Sequence, residues 1–153
     1  MSTITIFFGE MGCGKSYSAL RYAERHGFKF FEGDTAITPR MLELVKQFKP
    51  LPRDVVKGYV EHLCDKIVEQ ALGCAHLVVA QALYLNEDRQ FLKAHLEALG
   101  YNVRMWHVKV QPWRNFQNLL SRDRPWKWVY YWLMNKPFFQ KPNHEYQVYY
   151  NYY

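Results

Sequence analysis

The feature that most constrains this chain is a glycine-rich loop near its beginning, residues 9–16 (GEMGCGKS). It fits the pattern G-x-x-x-x-G-K-[ST], in which backbone N–H groups turn inward around one anion. The apolar stretch before it, residues 3–8, predicts a buried strand. A helix predicted over residues 16–25 would point its positive N-terminal end at the same anion. Strand, loop and helix together predict a binding site for the phosphates of a nucleotide.

Individual loop positions have expected roles. Lys15 is long enough to reach the β- and γ-phosphates, and the Ser16 hydroxyl is a suitable Mg²⁺ ligand. Cys13 is interpreted as a small residue at a variable position; the alternative is a redox-sensitive thiol, since helix N-termini lower thiol pKa values. The residues predicted to bind the nucleotide are Gly9, Glu10, Met11, Gly12, Cys13, Gly14, Lys15, Ser16 and Tyr17.

An acidic turn, Glu32-Gly33-Asp34, follows the second predicted strand, residues 28–31. In an open α/β sheet the carboxyl ends of the strands line the ligand crevice, so both carboxylates should face the phosphate loop. We expect Asp34 to act as the base or to anchor the substrate, and Glu32 to help position Mg²⁺ through water. The alternative is a solvated acidic turn.

Two features disfavour other nucleotide-binding classes. The third predicted strand, residues 76–80, ends in Gln81 rather than the acidic residue usual in motors and helicase-like ATPases. Residues 135–138 (NKPF) resemble the start of the guanine-reading N-K-x-D motif, but Phe138 occupies the place of its aspartate, which disfavours a GTPase.

The positive charge of the chain is confined to its last third. Lys and Arg number 20 against 14 Asp and Glu, a formal charge of +6, and residues 1–100 are balanced. Arg122 and Arg124 are placed to close over nucleotide phosphates, with Arg114 and Lys127 as helpers; the alternative is a solvated basic face.

Residues 126–153 are strongly aromatic, which suits core packing, a contact between copies of the chain, or stacking on a nucleic acid.

Strands alternate with helices along most of the chain, which predicts one α/β domain, residues 1–153, with a mainly parallel sheet of four to five strands flanked by helices. Beyond Pro137 the pattern defines no element. The remaining predicted strand covers residues 102–108, and further helices cover residues 39–48, 54–72, 88–99, 112–121 and 126–134.

The three cysteines form no C-x-x-C pair, and the first residues lack the basic region of a signal peptide. Apolar runs are far shorter than the roughly 20 residues that cross a bilayer. We therefore expect a cytoplasmic protein without disulfides or a membrane anchor.

The chain resembles the small P-loop kinases, in particular the gluconate, shikimate and adenylylsulfate kinase group. The resemblance rests on GEMGCGKS, on FFEGD after the second strand, on LVVAQAL in the third, and on SRDR at the position of the arginine lid. It spans residues 3 to about 125 and implies a three-layer P-loop NTPase-type fold. By this resemblance Gly12, Gly14, Lys15 and Ser16 would hold ATP and Mg²⁺, Asp34 would contact the acceptor, and Arg122 and Arg124 would form the lid.

The leading hypothesis is therefore MgATP-dependent phosphorylation of a hydroxyl on a small, anionic acceptor, with Arg40 and Arg53 as candidates for binding its anionic group. One alternative is a kinase acting on a nucleotide or on the 5′-end of a polynucleotide. Another is a nucleotide-binding protein without catalysis that acts through its tyrosine-rich end.

Overall fold

The computed structural model describes residues 2–142 and 146–150. The strands are β1 Thr3–Phe8, β2 Lys29–Glu32, β3 His76–Gln81, β4 Asn102–Lys109 and β5 Gln147–Tyr150. The α-helices are α1 Lys15–His26, α2 Pro39–Lys46, α3 Arg53–Ala71, α4 Asn86–Ala98, α5 Pro112–Leu120 and α6 Pro125–Asn135. Short 3₁₀ turns cover Gly33–Ala36 and Lys136–Phe138.

The strands form one parallel sheet in the order β2-β3-β1-β4-β5. The predicted α/β class, with a parallel sheet flanked by helices, is confirmed. Because β1 lies at the centre between β3 and β4, the loop that follows β1 opens at the middle of the sheet's carboxyl edge. The turn after β2 and the end of β3 reach the same edge, which is where parallel sheets bind ligands.

The central strand β1 is buried on both faces. Ile4, Ile6 and Phe8 pack with α3 and α4 on one face. Phe7, on the opposite face, packs against Ala19 of α1. This alternation, with a period of two residues, explains why β1 reads as an almost continuous apolar run. It also fixes α1 behind the sheet, with its first turn directed at the carboxyl edge.

The strand β5 comes from the tyrosine-rich end of the chain, for which the sequence predicted no defined element. It pairs in parallel with β4, from Trp106–Gln147 to Lys109–Tyr150, and lies beside it in the sheet. Its four residues are too few for a clear alternating pattern, so the pairing depends on tertiary contacts. Of the predicted aromatic segment, residues 143–145 and 151–153 lie outside the described part of the chain.

The helix α6 divides its aromatic side chains between core and surface. Tyr131 and Trp132 are buried, whereas Trp126 and Tyr130 are exposed. Core packing therefore accounts for only part of the aromatic segment. Within residues 2–142 and 146–150, no helix is both long enough and apolar enough to span a membrane.

Candidate active site

The phosphate loop has the backbone geometry that its glycines allow. Gly12 has a φ of 78°, in the left-handed region that favours glycine. A Cβ at this position would lie 2.3 Å from the terminal amide of Asn115 and 3.0 Å from Leu119 Cγ. The side chain of Asn118 donates a hydrogen bond of 2.9 Å to the Gly12 carbonyl. The loop is therefore pressed directly against α5, and only glycine fits between them.

Asn115 supports the same loop from within the core. Its side chain is almost completely buried. With the amide nitrogen turned towards the loop, it donates to the carbonyls of Met11 at 2.7 Å and Gly12 at 3.0 Å. These contacts occupy the carbonyls of Met11 and Gly12 and hold the loop against α5.

Lys15, the lysine of the motif, lies at the start of α1 and is only 9% exposed. Within residues 2–142 and 146–150 its ammonium group forms no hydrogen bond or ion pair, although Glu32 and Cys13 lie near enough to interact electrostatically. A desolvated ammonium without a close partner is costly, and an anion bound in the loop would offset that cost.

The Ser16 hydroxyl and the Glu32 carboxylate approach each other at the mouth of the loop. Burial raises the pKa of Glu32, and this effect outweighs the lowering that the Ser16 hydroxyl and Lys15 produce. The charged carboxylate is therefore less favoured here than in water. A hydroxyl and a carboxylate oxygen are ligands that Mg²⁺ accepts while keeping several waters. This donor pair fits a magnesium ion.

The acidic turn is attached to the end of β3 through Tyr59 of α3. The Tyr59 hydroxyl lies 2.8 Å from the Gly33 carbonyl oxygen and 2.6 Å from Gln81 Oε1, and shares its hydrogen between them. A Cβ at Gly33 would lie 2.3 Å from Gln81 Oε1. Gln81 thus holds the turn in place, and the adjacent Asp34 is exposed at the edge of the crevice.

Of the two arginines predicted to form a lid, Arg122 lies near the acidic turn and the phosphate loop. Burial lowers the pKa of its guanidinium, while Asp34 and the groups of Cys13 and Tyr84 raise it. The guanidinium also lies 5.1 Å above the ring of Trp128. Arg122 therefore lies within electrostatic reach of both the phosphate loop and the acidic turn.

Arg124 occupies the residue before α6 with a left-handed backbone, φ 52°. Its side chain is exposed, and no hydrogen bond or ion pair involves it within the described residues. Within the described residues, the interactions of Arg122 connect it to the loop and the acidic turn, whereas no contact connects the Arg124 side chain to either.

The two arginines considered for the acceptor already contact acidic residues of the chain. Arg53 forms a bidentate interaction with Asp88, at 2.7 and 3.1 Å, and a further ion pair with Glu87 at 3.2 Å. The hydrogen bonds that Arg53 donates to the Asp88 carboxylate raise the Arg53 pKa. Arg40 lies 3.8 Å from Asp54, and both side chains are exposed. An anionic acceptor would have to share these cations with the carboxylates.

Other loop residues have contacts outside the crevice. Burial raises the pKa of the Cys13 thiol more than Lys15 lowers it, which favours the interpretation of Cys13 as a small packing residue. Glu10 pairs with Lys136 at 3.5 Å. Tyr17 is exposed and accepts a hydrogen bond from Arg21 on the surface of α1.

Five residues at the site were absent from the sequence-based prediction. They are Tyr59, Gln81, Tyr84, Asn115 and Asn118, which all contact the loop or the acidic turn through side-chain polar atoms. Asn115 and Asn118 are three residues apart on α5, a spacing that by itself places two side chains on the same face of a helix. The other three carry no local signal.

Comparisons with known proteins find the same fold in several kinases. A sugar kinase from Janibacter sp. HTCC2649 superposes with a TM-score of 0.76 at 14% identity, covering 99% of this chain and 85% of that chain. A gluconokinase from Sinorhizobium meliloti 1021 gives 0.74 at 15% identity, covering 97% and 81%. The Mycobacterium tuberculosis APS kinase CysC, solved in complex with AMPPNP and APS, gives 0.69 at 15% identity, covering 99% and 90%.

Sequence comparison adds nothing to these matches, since no protein-family model and no curated protein matches the chain. The structural likeness agrees with the group to which the sequence motifs pointed. The chain has the fold of the small P-loop kinases.

Proposed function

We propose that this protein is an ATP-dependent phosphotransferase that moves the γ-phosphate of ATP to a hydroxyl of a small acceptor. The observation that carries the proposal is the grouping of Ser16, Glu32 and the buried Lys15 at the mouth of the phosphate loop. The fold shared with sugar, gluconate and APS kinases supports the same class of reaction.

The loop would hold the nucleotide by its phosphates. The N–H groups at the end of the loop and in the first turn of α1 would donate to the phosphate oxygens, and Lys15 would neutralise part of their charge. Ser16 and Glu32 would hold Mg²⁺, which supplies charge neutralisation at the β- and γ-phosphates when bound. Held in this way, the γ-phosphorus would face the acidic turn.

The chemical step would use Asp34 and Arg122. The acceptor hydroxyl oxygen forms a bond to the γ-phosphorus while the bond from that phosphorus to the β–γ bridging oxygen breaks, leaving ADP. Asp34 receives the hydroxyl proton. Arg122, within reach of both the loop and Asp34, stabilises the charge that develops on the transferred group.

We further propose that the acceptor is anionic and that Arg40 and Arg53, at the starts of α2 and α3, contribute to its binding. The support is that Arg40 begins α2 shortly after the acidic turn, that Arg53 begins α3, which contacts this turn through Tyr59, and that the last third carries the excess positive charge. Three cysteines, an odd number with no C-x-x-C pair, support a reducing compartment such as the cytoplasm.

ADP release from MgATP, measured against a panel of small hydroxy acids, tests the proposal. We expect at least one acceptor to stimulate turnover in the wild type and none to do so in Asp34→Asn, which retains the size of the side chain but cannot accept the proton. Asp65→Asn, on the exposed face of α3, is the matched control. Equal turnover by Asp34→Asn and wild type would contradict the assignment of the base.

A second candidate is a kinase for nucleotide or polynucleotide 5′-hydroxyls. The observation that favours it is the exposure of Trp126 and Tyr130, one turn apart on α6, with Lys127 beside them. Bases stack on such rings while cations meet the phosphates. This candidate predicts that affinity for single-stranded oligonucleotides falls steeply with added salt. Absence of oligonucleotide binding at low salt would eliminate it.

A further inference from the structure

The chain segment that follows α6 is fastened to the loop that follows β3. We call residues 136–141 the C-terminal clamp. The Gln140 N–H donates to the Tyr84 carbonyl at 2.8 Å. Asn86 donates twice, from its backbone N–H to Gln140 Oε1 and from its side chain to the Lys141 carbonyl, each at 2.8 Å. These bonds join positions more than 50 residues apart in the sequence.

Arg89 locks this junction from inside. It is completely buried, and its guanidinium lies between the rings of Phe8 and Phe139, 4.8 and 4.7 Å from their centroids. It donates to three backbone carbonyls, those of Leu83, Tyr84 and Gln140. Within the described residues no carboxylate pairs with it, so its buried charge depends on these carbonyls staying in place.

Tyr84 connects the junction to the phosphate loop. Its hydroxyl oxygen accepts a hydrogen bond of 3.1 Å from the Met11 N–H. Its ring packs edge-on against Phe139 of the clamp, with centroids 5.2 Å apart. Burial raises the pKa of Tyr84, which keeps the phenol neutral. Lys136 of the clamp also reaches Glu10. Two successive loop residues thus contact the clamp, one directly and one through Tyr84.

We propose that the C-terminal clamp is part of the nucleotide site: acting through Arg89 and Tyr84, it holds the first half of the phosphate loop in its anion-binding shape and so sets the affinity for nucleotide. Tyr84 and Arg89 are positioning residues in this arrangement. Without the Tyr84 acceptor the Met11 N–H has lost its partner, and the loop can relax away from the shape that phosphate requires. This inference rests on the proposed function for the identity of the ligand.

Substitution of Tyr84→Phe removes the acceptor and retains the ring. We expect the dissociation constant for ATP to rise about three- to tenfold, the effect of one lost hydrogen bond. Tyr101→Phe, which alters a partly buried tyrosine at the opposite end of the sheet, should leave the constant unchanged. A Tyr84→Phe variant that loses stability but binds ATP like the wild type would overturn the proposal.

A double-mutant cycle tests whether the clamp acts through Tyr84. Gln140→Ala removes the bond to Asn86, and Gln147→Ala on β5 is its matched control. Because both changes loosen one chain of contacts, Gln140→Ala should weaken ATP binding in the wild type and add little in the Tyr84→Phe background. If the increases in the dissociation constant caused by the two single substitutions simply multiply in the double variant, a connection through Tyr84 is refuted.

Hydrogen exchange on the ligand-free protein separates this inference from the proposed function. Both Tyr84→Phe and Gln140→Ala should accelerate exchange of the loop amides in residues 9–14, whether or not ATP is the ligand. If the wild type fails to bind ATP but exchange accelerates, the function is wrong and the clamp stands. If the wild type binds ATP and neither exchange nor affinity changes, the clamp is wrong and the function stands.

Discussion

The close packing of the phosphate loop against α5 leads to a quantitative prediction for Gly12→Ala. The φ of 78° places an alanine in the left-handed region, at a cost of about 1–2 kcal/mol. The added Cβ would also overlap Asn115 at 2.3 Å and touch Leu119 Cγ at 3.0 Å. Displacing two well-packed side chains costs about 1–3 kcal/mol more. Together the change should lower the free energy of unfolding by about 2–5 kcal/mol.

Gly27→Ala is the matched control, because it isolates the backbone contribution. Gly27 closes α1 with a φ of 67°, and a Cβ there would have no atom within 4 Å. The substitution Gly27→Ala should therefore lower the free energy of unfolding only by the backbone contribution of about 1–2 kcal/mol. Urea unfolding followed by tryptophan fluorescence would give both values, and an ATP titration would show whether the loop still binds. We expect Gly12→Ala to lose affinity and Gly27→Ala to retain it.

Two results would refute this reasoning. One is an equal loss of stability in the two variants, which would mean that Asn115 and Leu119 do not press on the loop. The other is unchanged ATP affinity in Gly12→Ala despite the expected loss of stability, which would mean that the shape of the loop does not govern binding.

Two further predictions concern groups with shifted pKa values. Burial raises the pKa of Glu32 above its usual 4.5. The folded protein therefore binds more protons at this group than the unfolded chain does, and its stability falls as pH rises above 4.5. Glu32→Gln should therefore be at least as stable as the wild type at pH 7 without nucleotide, yet lose the magnesium dependence of ATP binding; lower stability with retained dependence would contradict this. Burial, together with Lys109 and Arg89, lowers the pKa of His107 to about 4, so its stabilisation is full above pH 6.5 and lost as pH falls towards 4. Urea unfolding measures this loss: between pH 6.5 and 4 the free energy of unfolding of His107→Phe should fall by up to about 3 kcal/mol less than that of the wild type. An equal fall in both proteins would contradict the lowered pKa of His107.

The elements that sequence reasoning found are those with local signals. Residues 9–16 carry a spacing that few other structures require, and the flanking strand and helix differ clearly in periodicity. The approach of Glu32 to Ser16 follows from topology, because the carboxyl ends of parallel strands meet at one edge of the sheet.

The remaining contacts depend on residues far apart in the chain. Nothing near Arg89 in the sequence indicates that it would be buried against Gln140. Tyr59 lies on α3, 26 residues from the turn that it holds. The strand β5 is four residues long and depends on pairing with β4. Polar side chains of this kind acquire their partners only when the fold brings the elements together, so no local pattern predicts them.

The central claim, that residues 9–16 hold the phosphates of ATP, is tested most directly by calorimetric titration of the wild type and Lys15→Ala with ATP in the presence of Mg²⁺. The buried Lys15 ammonium has no ion-pair partner within the described residues, so its removal should weaken binding by about ten- to a hundredfold, the value of a charge-assisted hydrogen bond or two. Lys29→Ala, which removes an exposed lysine on β2, should bind like the wild type. Equal affinity of Lys15→Ala and the wild type would contradict the claim.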